Sequence, residues 1–444
     1  MAGVVRVSEL EDPLLSARRS VAPSRRLLRL VATCALPLTL LPACSRAADD
    51  RASGSASQTA RPHETPSETV PAAPPTKSSA SVPSPAPSDD PGPARTSRHQ
   101  RLRQLNLAEQ VGQLLMVGIP AQGASSQLLA ELASLHVGNV FLVGRNARGV
   151  RSTADVTRAA RDELIRGSSG VPLLVGTDQE GGAVQALSGP GFSTIPSALS
   201  QGSWPAPLLR RSARRWAQQL REGGVNLDLA PVGDIVPRSP DPRTNAPIGY
   251  FNRQFGANAK VVRSHTIAFV RGMSGVHVGT AVKHFPGLGY VRGNTDTSSS
   301  VVDSVVGPTD PGLGVFRDAA RAGSTMVMAS TATYRRLDPS LPAAFSPVVV
   351  RQLLRHRLGF SGVVISDDLG AARQVQRWTP GQRVDMFIAA GGDVALTVVP
   401  QDASKMAHDL VAAAQHSVAI RHRIRRAANR VLLFKARLGL LAER

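Results

Sequence analysis

Eight short apolar segments recur along residues 112–399 of this 444-residue chain. Segments of this length and composition are typical of β-strands that are covered on both faces. Most are followed by a helical pattern, and eight such units predict a closed α/β fold, the (β/α)8 or TIM-like barrel; a doubly wound open sheet is the alternative. A final helical pattern, residues 403–441, is expected on the barrel exterior. The eight segments are residues 112–119, 138–144, 172–177, 225–232, 279–284, 324–330, 362–366 and 393–399.

Polar side chains lie within these apolar segments or directly after them. Such groups are costly to bury unless they are paired or used. In a (β/α)8 barrel the carboxyl ends of the strands carry the chemistry. We therefore expect a functional site at this end of the barrel. The residues concerned are Asp178, Asp228, Lys283, His284, Ser330 and Asp367.

The first hundred residues lack the pattern of a globular domain. Several arginines, Arg25 and Arg26 among them, precede an apolar run at residues 30–41. A basic region, a short apolar region and small residues predict a signal peptide over residues 1–43, of the general secretory or the twin-arginine type. The segment LPAC that ends at Cys44 resembles a lipobox. It predicts lipidation of Cys44 and anchoring to the outer face of the cell membrane, with secretion as the alternative.

Residues 44–98 consist mainly of Ser, Pro, Ala and Thr. They contain too few large apolar residues to offset the chain entropy lost on folding, so a disordered linker is predicted. The globular domain is expected over residues 99–444. Because the chain has only two cysteines, Cys34 and Cys44, and both precede this domain, its folding cannot depend on a disulfide.

The formal net charge of +20 raises the question of a nucleic-acid partner. The arginines are scattered along the sequence, and aromatic residues make up only 4% of the chain, too few for base-stacking platforms. We therefore expect no nucleic-acid partner, and consider anionic cell-wall polymers or lipid headgroups instead. No cluster of His, Cys and Asp has the spacing of metal ligands, so neither a metal nor another cofactor is expected. A monomer is expected.

Two motifs carry the chemistry. The segment KHFPGLG at residues 283–289, followed by NTD at 294–296, places a cation, an imidazole and a carboxylate on a loop shaped by Gly and Pro. The segment GVVISDDL at residues 362–369 is a buried-strand pattern that ends in two carboxylates. Over roughly residues 100–400, this chain resembles glycoside hydrolase family 3, specifically its β-N-acetylglucosaminidase branch.

The resemblance implies four sugar-binding residues. Asp178, in the motif TDQEGG, accepts hydrogen bonds from hydroxyls at the non-reducing end of the sugar. Arg253, in the motif NRQFG, reaches the same sugar, and Lys283 and His284 bind it from a neighbouring strand. The branch often has an arginine eight residues after the aspartate, where this chain has Ala186, which removes one expected contact.

The resemblance also implies the catalytic pair. Asp367 is the expected nucleophile of a retaining mechanism, with Asp368 as its rival, and Lys283 is expected to lower the pKa of Asp367. In the branch a histidine supported by an aspartate acts as acid/base. Here those two positions are Asp296 and Asn294. We expect Asp296 to act as the acid/base, provided that burial raises its pKa.

The resulting hypothesis is an exo-acting β-N-acetylglucosaminidase. It would hydrolyse terminal β-linked N-acetylglucosamine in cell-wall or chitin-type oligosaccharides, with retention of configuration. One alternative is a β-glucosidase or β-xylosidase of the same family. Another is a sugar-binding lipoprotein with weak or no hydrolytic activity.

Overall fold

The computed structural model describes residues 104–323 and 325–441. The predicted signal peptide (1–43), Cys44 and the predicted linker (44–98) lie outside the described residues, so these assignments stay predictions.

Eight parallel strands form a single sheet that closes into a barrel, as the sequence predicted. They are β1 (Leu115–Pro120), β2 (Asn139–Val143), β3 (Leu174–Thr177), β4 (Leu227–Asp228), β5 (Gly279–Phe285), β6 (Thr325–Ala329), β7 (Val364–Ser366) and β8 (Ala395–Thr397). The strand order is β7-β6-β5-β4-β3-β2-β1-β8. A parallel bridge between Ile365 and Val394 joins the two ends of this order. Each of the eight apolar segments in the sequence overlaps one of these strands.

Helices cover the outside of the barrel. They are α1 (Leu107–Gly112), α2 (Ser126–Ser134), α3 (Gly149–Gly167), α4 (Ala206–Glu222), α5 (Ala259–Ser274), α6 (Leu313–Ala320), α7 (Pro380–Ala390), α8 (Asp402–His416) and α9 (Val418–Arg437), with a π-helix at Val348–Arg357. Local sequence sets where several of them begin. Thr379 and Gln382 form a capping box at the start of α7, and Pro380 takes the first helical position. None of the helices in the described ranges combines the length and apolar character that crossing a bilayer requires.

Apolar side chains fill the interior of the barrel, so it is a packed core rather than a channel. They alternate along the strands with side chains that face the helices. The interior members include Met116, Leu174, Leu227, Ala281, Met326 and Ile365.

The carboxyl-terminal segment was predicted to be one helical stretch on the barrel exterior, and the structure differs from this prediction. It forms two helices, α8 and α9, separated at Ser417, whose hydroxyl accepts a hydrogen bond from the Ile420 backbone and so caps α9. Val431 and Phe434 of α9, and Leu438 directly after it, belong to the same apolar cluster as the barrel interior. Because these residues repeat at helical spacing, they form one face of α9.

The apolar face of α9 covers the amino-terminal opening of the barrel. Gly279, the first residue of β5, leaves room for it, since a Cβ atom there would lie 2.6 Å from the ring of Phe434. Lys435 is also fully buried, and its Nζ donates to Gln113 Oε1 (2.7 Å) and to the Gly138 carbonyl (2.9 Å). One end of the barrel is thereby closed, which leaves the carboxyl ends of the strands for a site.

Candidate active site

A cavity of about 320 Å³ lies at the carboxyl ends of the strands. Its lining brings together every catalytic and sugar-binding residue that the sequence predicted, although they are spread over nearly 200 positions of the chain. The cavity is where those residues meet, while their individual roles stay predictions. The six residues are Asp178, Arg253, Lys283, His284, Asp296 and Asp367.

Lys283, near the end of β5, is held between two carboxylates. Its Nζ lies 2.6 Å from Asp178 Oδ1 and 2.6 Å from Glu180 Oε1. Burial alone would lower the pKa of Lys283, but the two negative charges outweigh it and raise that pKa. Lys283 is therefore a fixed cation. The side chain of Asp178 is 32% exposed and that of Glu180 only 2%, so Asp178 is the carboxylate that a ligand can reach.

Arg253 is positioned by Glu180, a residue that the sequence analysis missed. Its Nε donates to Glu180 Oε2 (2.9 Å), its Nη2 to Oε1 (2.7 Å), and its Nη1 to the Pro247 carbonyl (2.8 Å). These bonds use three of the five N–H donors of the guanidinium and leave two for a ligand. Burial opposes ionisation of Glu180, yet Arg253 and Lys283 lower its pKa to about 2. Glu180 therefore orients both cations.

His284 is oriented by Asp234, a second residue that was missed. Its Nδ1 lies 2.7 Å from Asp234 Oδ2, and its backbone N–H donates to Oδ1 (3.1 Å). The backbone N–H of Leu288 also donates to Oδ1 (2.8 Å), so one buried carboxylate fixes both the ring and the loop that follows. A carboxylate that accepts the Nδ1 proton leaves Nε2 as the ring nitrogen available to a ligand.

The backbone distinguishes Asp367 from its rival Asp368. The carboxylate of Asp368 accepts three backbone hydrogen bonds, which fix the turn after β7: its Oδ1 from Gly370 (2.9 Å) and Val398 (3.0 Å), and its Oδ2 from Ala371 (2.8 Å). Asp367 Oδ1 accepts only the Asp368 N–H (3.0 Å). Within the described ranges its Oδ2 has no hydrogen-bond partner. Asp367 is thus the carboxylate that is left for chemistry.

Lys283 acts to lower the pKa of Asp367, as predicted, but the net pKa of this carboxyl is raised. Burial raises this pKa, and His284 opposes the rise more strongly than Lys283 does. The ammonium of Lys283 is ion-paired with Asp178 and Glu180, both at 2.6 Å, and its effect on Asp367 is smaller than that of burial. His284 is therefore the group best placed to favour the ionised form of Asp367.

Asp296 shares the cavity with Asp367. Its pKa is raised, first by burial and then by the negative charge of Asp367. The loop that carries it is tied down, because the backbone N–H groups of Arg373 and Gln374 donate to the carbonyls of Asp296 (3.2 Å) and Thr295 (3.1 Å). Two carboxyl groups in one cavity, with the pKa of Asp296 raised by its neighbour, are the kind of arrangement that acid/base catalysis beside a nucleophile uses.

Asp228, at the end of β4, lies buried behind the cluster of Asp178, Glu180 and Lys283. Its Oδ1 accepts the backbone N–H of Gln179 (3.0 Å), and its Oδ2 is among the buried polar atoms of the described ranges that have no partner. Burial raises the pKa of Asp228 to about 8. A neutral carboxyl at this place avoids a further negative charge beside two carboxylates.

In residues 104–323 and 325–441, no group of three or more His, Cys, Asp or Glu side chains is arranged to hold a metal ion.

Comparison with known proteins yields a matching family model and similar proteins. The family model "Glycosyl hydrolase family 3 N terminal domain" matches residues 106–434. A protein of Stenotrophomonas maltophilia (strain K279a) named β-hexosaminidase is 32% identical over 303 residues, which is 66% of this chain and 86% of that protein.

Two solved structures of relatives extend the comparison to the fold. The β-N-acetylhexosaminidase of Beutenbergia cavernae DSM 12333 is 46% identical, with a TM-score of 0.73, and the match covers 75% of this chain and 99% of that one. The family 3 β-N-acetylglucosaminidase of Paenibacillus sp. str. FPU-7 is 28% identical, with a TM-score of 0.69, over 76% of this chain and 64% of that one. With the family model spanning most of its length and a closed barrel that carries paired carboxylates, the chain belongs to glycoside hydrolase family 3.

Proposed function

We propose that the chain is an exo-acting β-N-acetylglucosaminidase that works with retention of configuration. The observation that carries this proposal is the placement of Asp367 and Asp296 in one cavity, with the pKa of Asp296 raised by burial and by its neighbour. The relatives named β-hexosaminidase, β-N-acetylhexosaminidase and β-N-acetylglucosaminidase support the choice of sugar.

Binding comes first in the proposed mechanism. The terminal sugar ring lies in the cavity with its non-reducing hydroxyls toward Asp178, whose second oxygen is not bonded to Lys283. His284 Nε2 and the two remaining N–H donors of Arg253 are the other groups available for its oxygens. Because Glu180 and Asp234 already hold these donors in place, little side-chain entropy is lost when the sugar binds.

The chemical step follows as a double displacement. Asp367 attacks C1, and the bond from C1 to the leaving oxygen breaks while Asp296 gives its proton to that oxygen. The result is a glycosyl ester on Asp367. Asp296, now ionised, removes a proton from water, whose oxygen attacks C1 and releases both the sugar and the Asp367 carboxylate.

We propose cell-wall or chitin-type oligosaccharides with terminal β-linked N-acetylglucosamine as the substrate. The proposed setting is the outer face of the cell membrane, with the protein anchored by a lipid on Cys44. The sequence features behind the setting are the apolar run at residues 30–41 and the segment LPAC that ends at Cys44.

The test is turnover of 4-nitrophenyl N-acetyl-β-D-glucosaminide, measured beside the corresponding β-glucoside and β-xyloside. We expect the N-acetylglucosaminide to have the highest kcat/KM, and the released sugar to keep the β-configuration when followed by NMR. Preference for the glucoside or xyloside would overturn the choice of sugar. Binding of N-acetylglucosamine without release from any of the three would favour a sugar-binding protein.

A further inference from the structure

The outer helical layer contains a basic groove that the proposed catalytic reaction does not use. Two cavities, of about 780 Å³ and 610 Å³, lie along α5, one beside α6 and the other beside α4. Both exceed the candidate active site in volume. Because Ser264 and Ile267 of α5 line both cavities, the two adjoin along this helix, and together they make up the basic groove.

Eight cationic side chains line the basic groove. Only two have a carboxylate partner among the described residues: Arg263 and Arg317, both paired with Asp318 at 2.6 and 2.8 Å. Asp310 also lines the groove, and its carboxylate accepts the backbone N–H of Gly312. The groove therefore carries a large excess of positive charge. The cations are Arg210, Arg211, Arg214, Lys260, Arg263, Arg271, Arg317 and Arg357.

The shape of the groove favours a chain-like ligand over a flat surface. Small residues such as Ala268 and Gly272 form part of its lining. At Gly272 the helices α4 and α5 approach so closely that a Cβ atom would lie 2.5 Å from the Arg210 carbonyl. Arginines of α4 and α5 flank this narrow part of the groove. A linear polymer can contact the arginines of both helices, whereas a planar bilayer contacts only the ends of their side chains.

The dimensions and the chemistry specify the polymer further. Lys260 and Arg271 are eleven residues apart on α5, about 16 Å along the helix axis, which is long enough for several anionic groups. Guanidinium groups bind phosphate oxygens in a bidentate geometry. No aromatic side chain is among the residues that line the groove, so the stacking platforms that bind single-stranded nucleic acid are missing from it.

We propose that the basic groove binds a linear phosphodiester polymer of the poly(alcohol phosphate) class, such as a glycerol phosphate chain. In a (β/α)8 barrel the helices run antiparallel to the strands, so Lys260, at the start of α5, lies toward the catalytic rim. A polymer in the groove extends from this rim along the outside of the barrel. It holds the enzyme on an anionic matrix without occupying the cavity of Asp367.

The test uses the purified full chain and immobilised poly(glycerol phosphate), with binding measured across a series of salt concentrations. The variant carries Arg210→Gln, Arg214→Gln and Arg271→Gln together. We expect its affinity to fall at least tenfold at low salt. The slope of log Kd against log salt should fall by up to about three, since each lost phosphate contact removes about one released ion.

A matched control keeps the change in net charge equal. It carries Arg151→Gln, Arg335→Gln and Arg425→Gln, three exposed arginines that lie apart from the groove. We expect this control to bind nearly as the parent does, and both variants to hydrolyse the nitrophenyl substrate at the parental rate. If both variants bind the polymer equally weakly, net charge alone is responsible for binding. That result would overturn the proposal that the groove is the binding site.

Two competitors decide the class of ligand. A single-stranded oligonucleotide of equal charge and vesicles containing phosphatidylglycerol are offered to the parent in place of the polymer. We expect the parent to bind both competitors more weakly than the polymer. The three substitutions of the groove variant should also weaken binding to the competitors less than they weaken binding to the polymer. Tighter binding to either competitor would overturn the assignment to a phosphodiester polymer of this class.

Discussion

Two lysines are fully buried at opposite ends of the same barrel, and their pKa values move in opposite directions. Lys283, at the carboxyl ends of the strands, has two carboxylates at 2.6 Å, and its pKa is raised. Lys435, at the amino ends, has only an amide oxygen and a backbone carbonyl, and burial lowers its pKa to about 7. Burial disfavours the charged form of both lysines. The partners of each ammonium therefore decide whether its pKa is raised or lowered.

This difference indicates that the two ends of the barrel have different roles. The catalytic end keeps ionised groups in place through an extended network in which Glu180 serves both Lys283 and Arg253. The closed end uses its lysine as a hydrogen-bond donor that joins α9 to the start of the barrel. Changes at the catalytic end should therefore affect turnover first, and changes at the closed end should affect stability first.

The largest expected effect is from Asp367→Asn. Removing the nucleophilic oxygen should reduce kcat by about 10⁴-fold or more, while the unfolding midpoint in urea changes little. The control is Asp368→Asn, which should lower stability because three backbone hydrogen bonds lose their ionised acceptor. Substantial turnover by Asp367→Asn would remove it as the nucleophile.

Asp296→Asn should have the next largest effect, about 10²–10⁴-fold on kcat/KM for a chitin-type disaccharide. A nitrophenolate leaves with little help from an acid, so the loss on the nitrophenyl substrate should be smaller. Because the pKa of Asp296 is raised, the parent should lose activity as rising pH removes this proton, and the variant should lack that alkaline limb. Equal losses on both substrates would contradict a role as general acid.

Glu180→Gln tests whether the network holds the catalytic end together. Two buried cations would lose their shared countercharge, so we expect kcat/KM to fall about 100-fold and stability to fall by about 3–5 kcal/mol. Urea unfolding and steady-state kinetics measure the two effects. The control is Glu131→Gln, at an exposed position of α2, which should leave both unchanged. A loss of activity without a loss of stability would show that Glu180 does not support the fold.

Lys435→Met should change stability without changing turnover. The pKa of Lys435 is lower in the folded state than in the unfolded state, so its contribution is present above the unfolded value and is lost as pH falls through about 7. The parent should therefore gain up to about 1.4 kcal/mol per pH unit between roughly pH 7 and 10 from this group. We expect urea unfolding across this range to show a flatter profile for the variant. A parallel profile would mean that Lys435 stays charged.

Only a small effect on activity is expected from Asp228→Asn, because an amide resembles the neutral carboxyl. The pKa of Asp228 is raised, so its contribution to stability is present below about pH 4 and is lost as pH rises through about 8. The variant should keep activity within about threefold and gain stability relative to the parent as pH rises across that window. A strong loss of activity at pH 7 would show that Asp228 acts as an ionised group.

The sequence predicted the barrel because its strands are local. Each apolar segment carries its own signal, and eight of them in a regular order leave few architectures. The six candidate site residues were predicted because they stand in motifs that resemble those of the family, four of them in or directly after a strand. Glu180 and Asp234 were missed because what they do depends on partners 73 and 50 residues away, a pairing that no local pattern records.

The position of α9 was missed for a related reason. The spacing of Val431, Phe434 and Leu438 indicates an apolar face, but an apolar face does not say which surface it will cover. The net rise in the pKa of Asp367 was also missed, since it depends on how deeply the folded barrel buries this carboxyl. Both features depend on contacts between elements that are far apart in the sequence.

The bonds from Lys435 to Gln113 and Gly138 have a consequence for how the protein is made. They join positions 322 and 297 residues apart, so the amino-terminal end of the barrel is closed only after α9, the last helix of the described residues, has been made. Contacts of such large sequence separation slow folding. While the ribosome is still adding α9, the nascent barrel has an open apolar end, and during that interval we expect it to depend on chaperones.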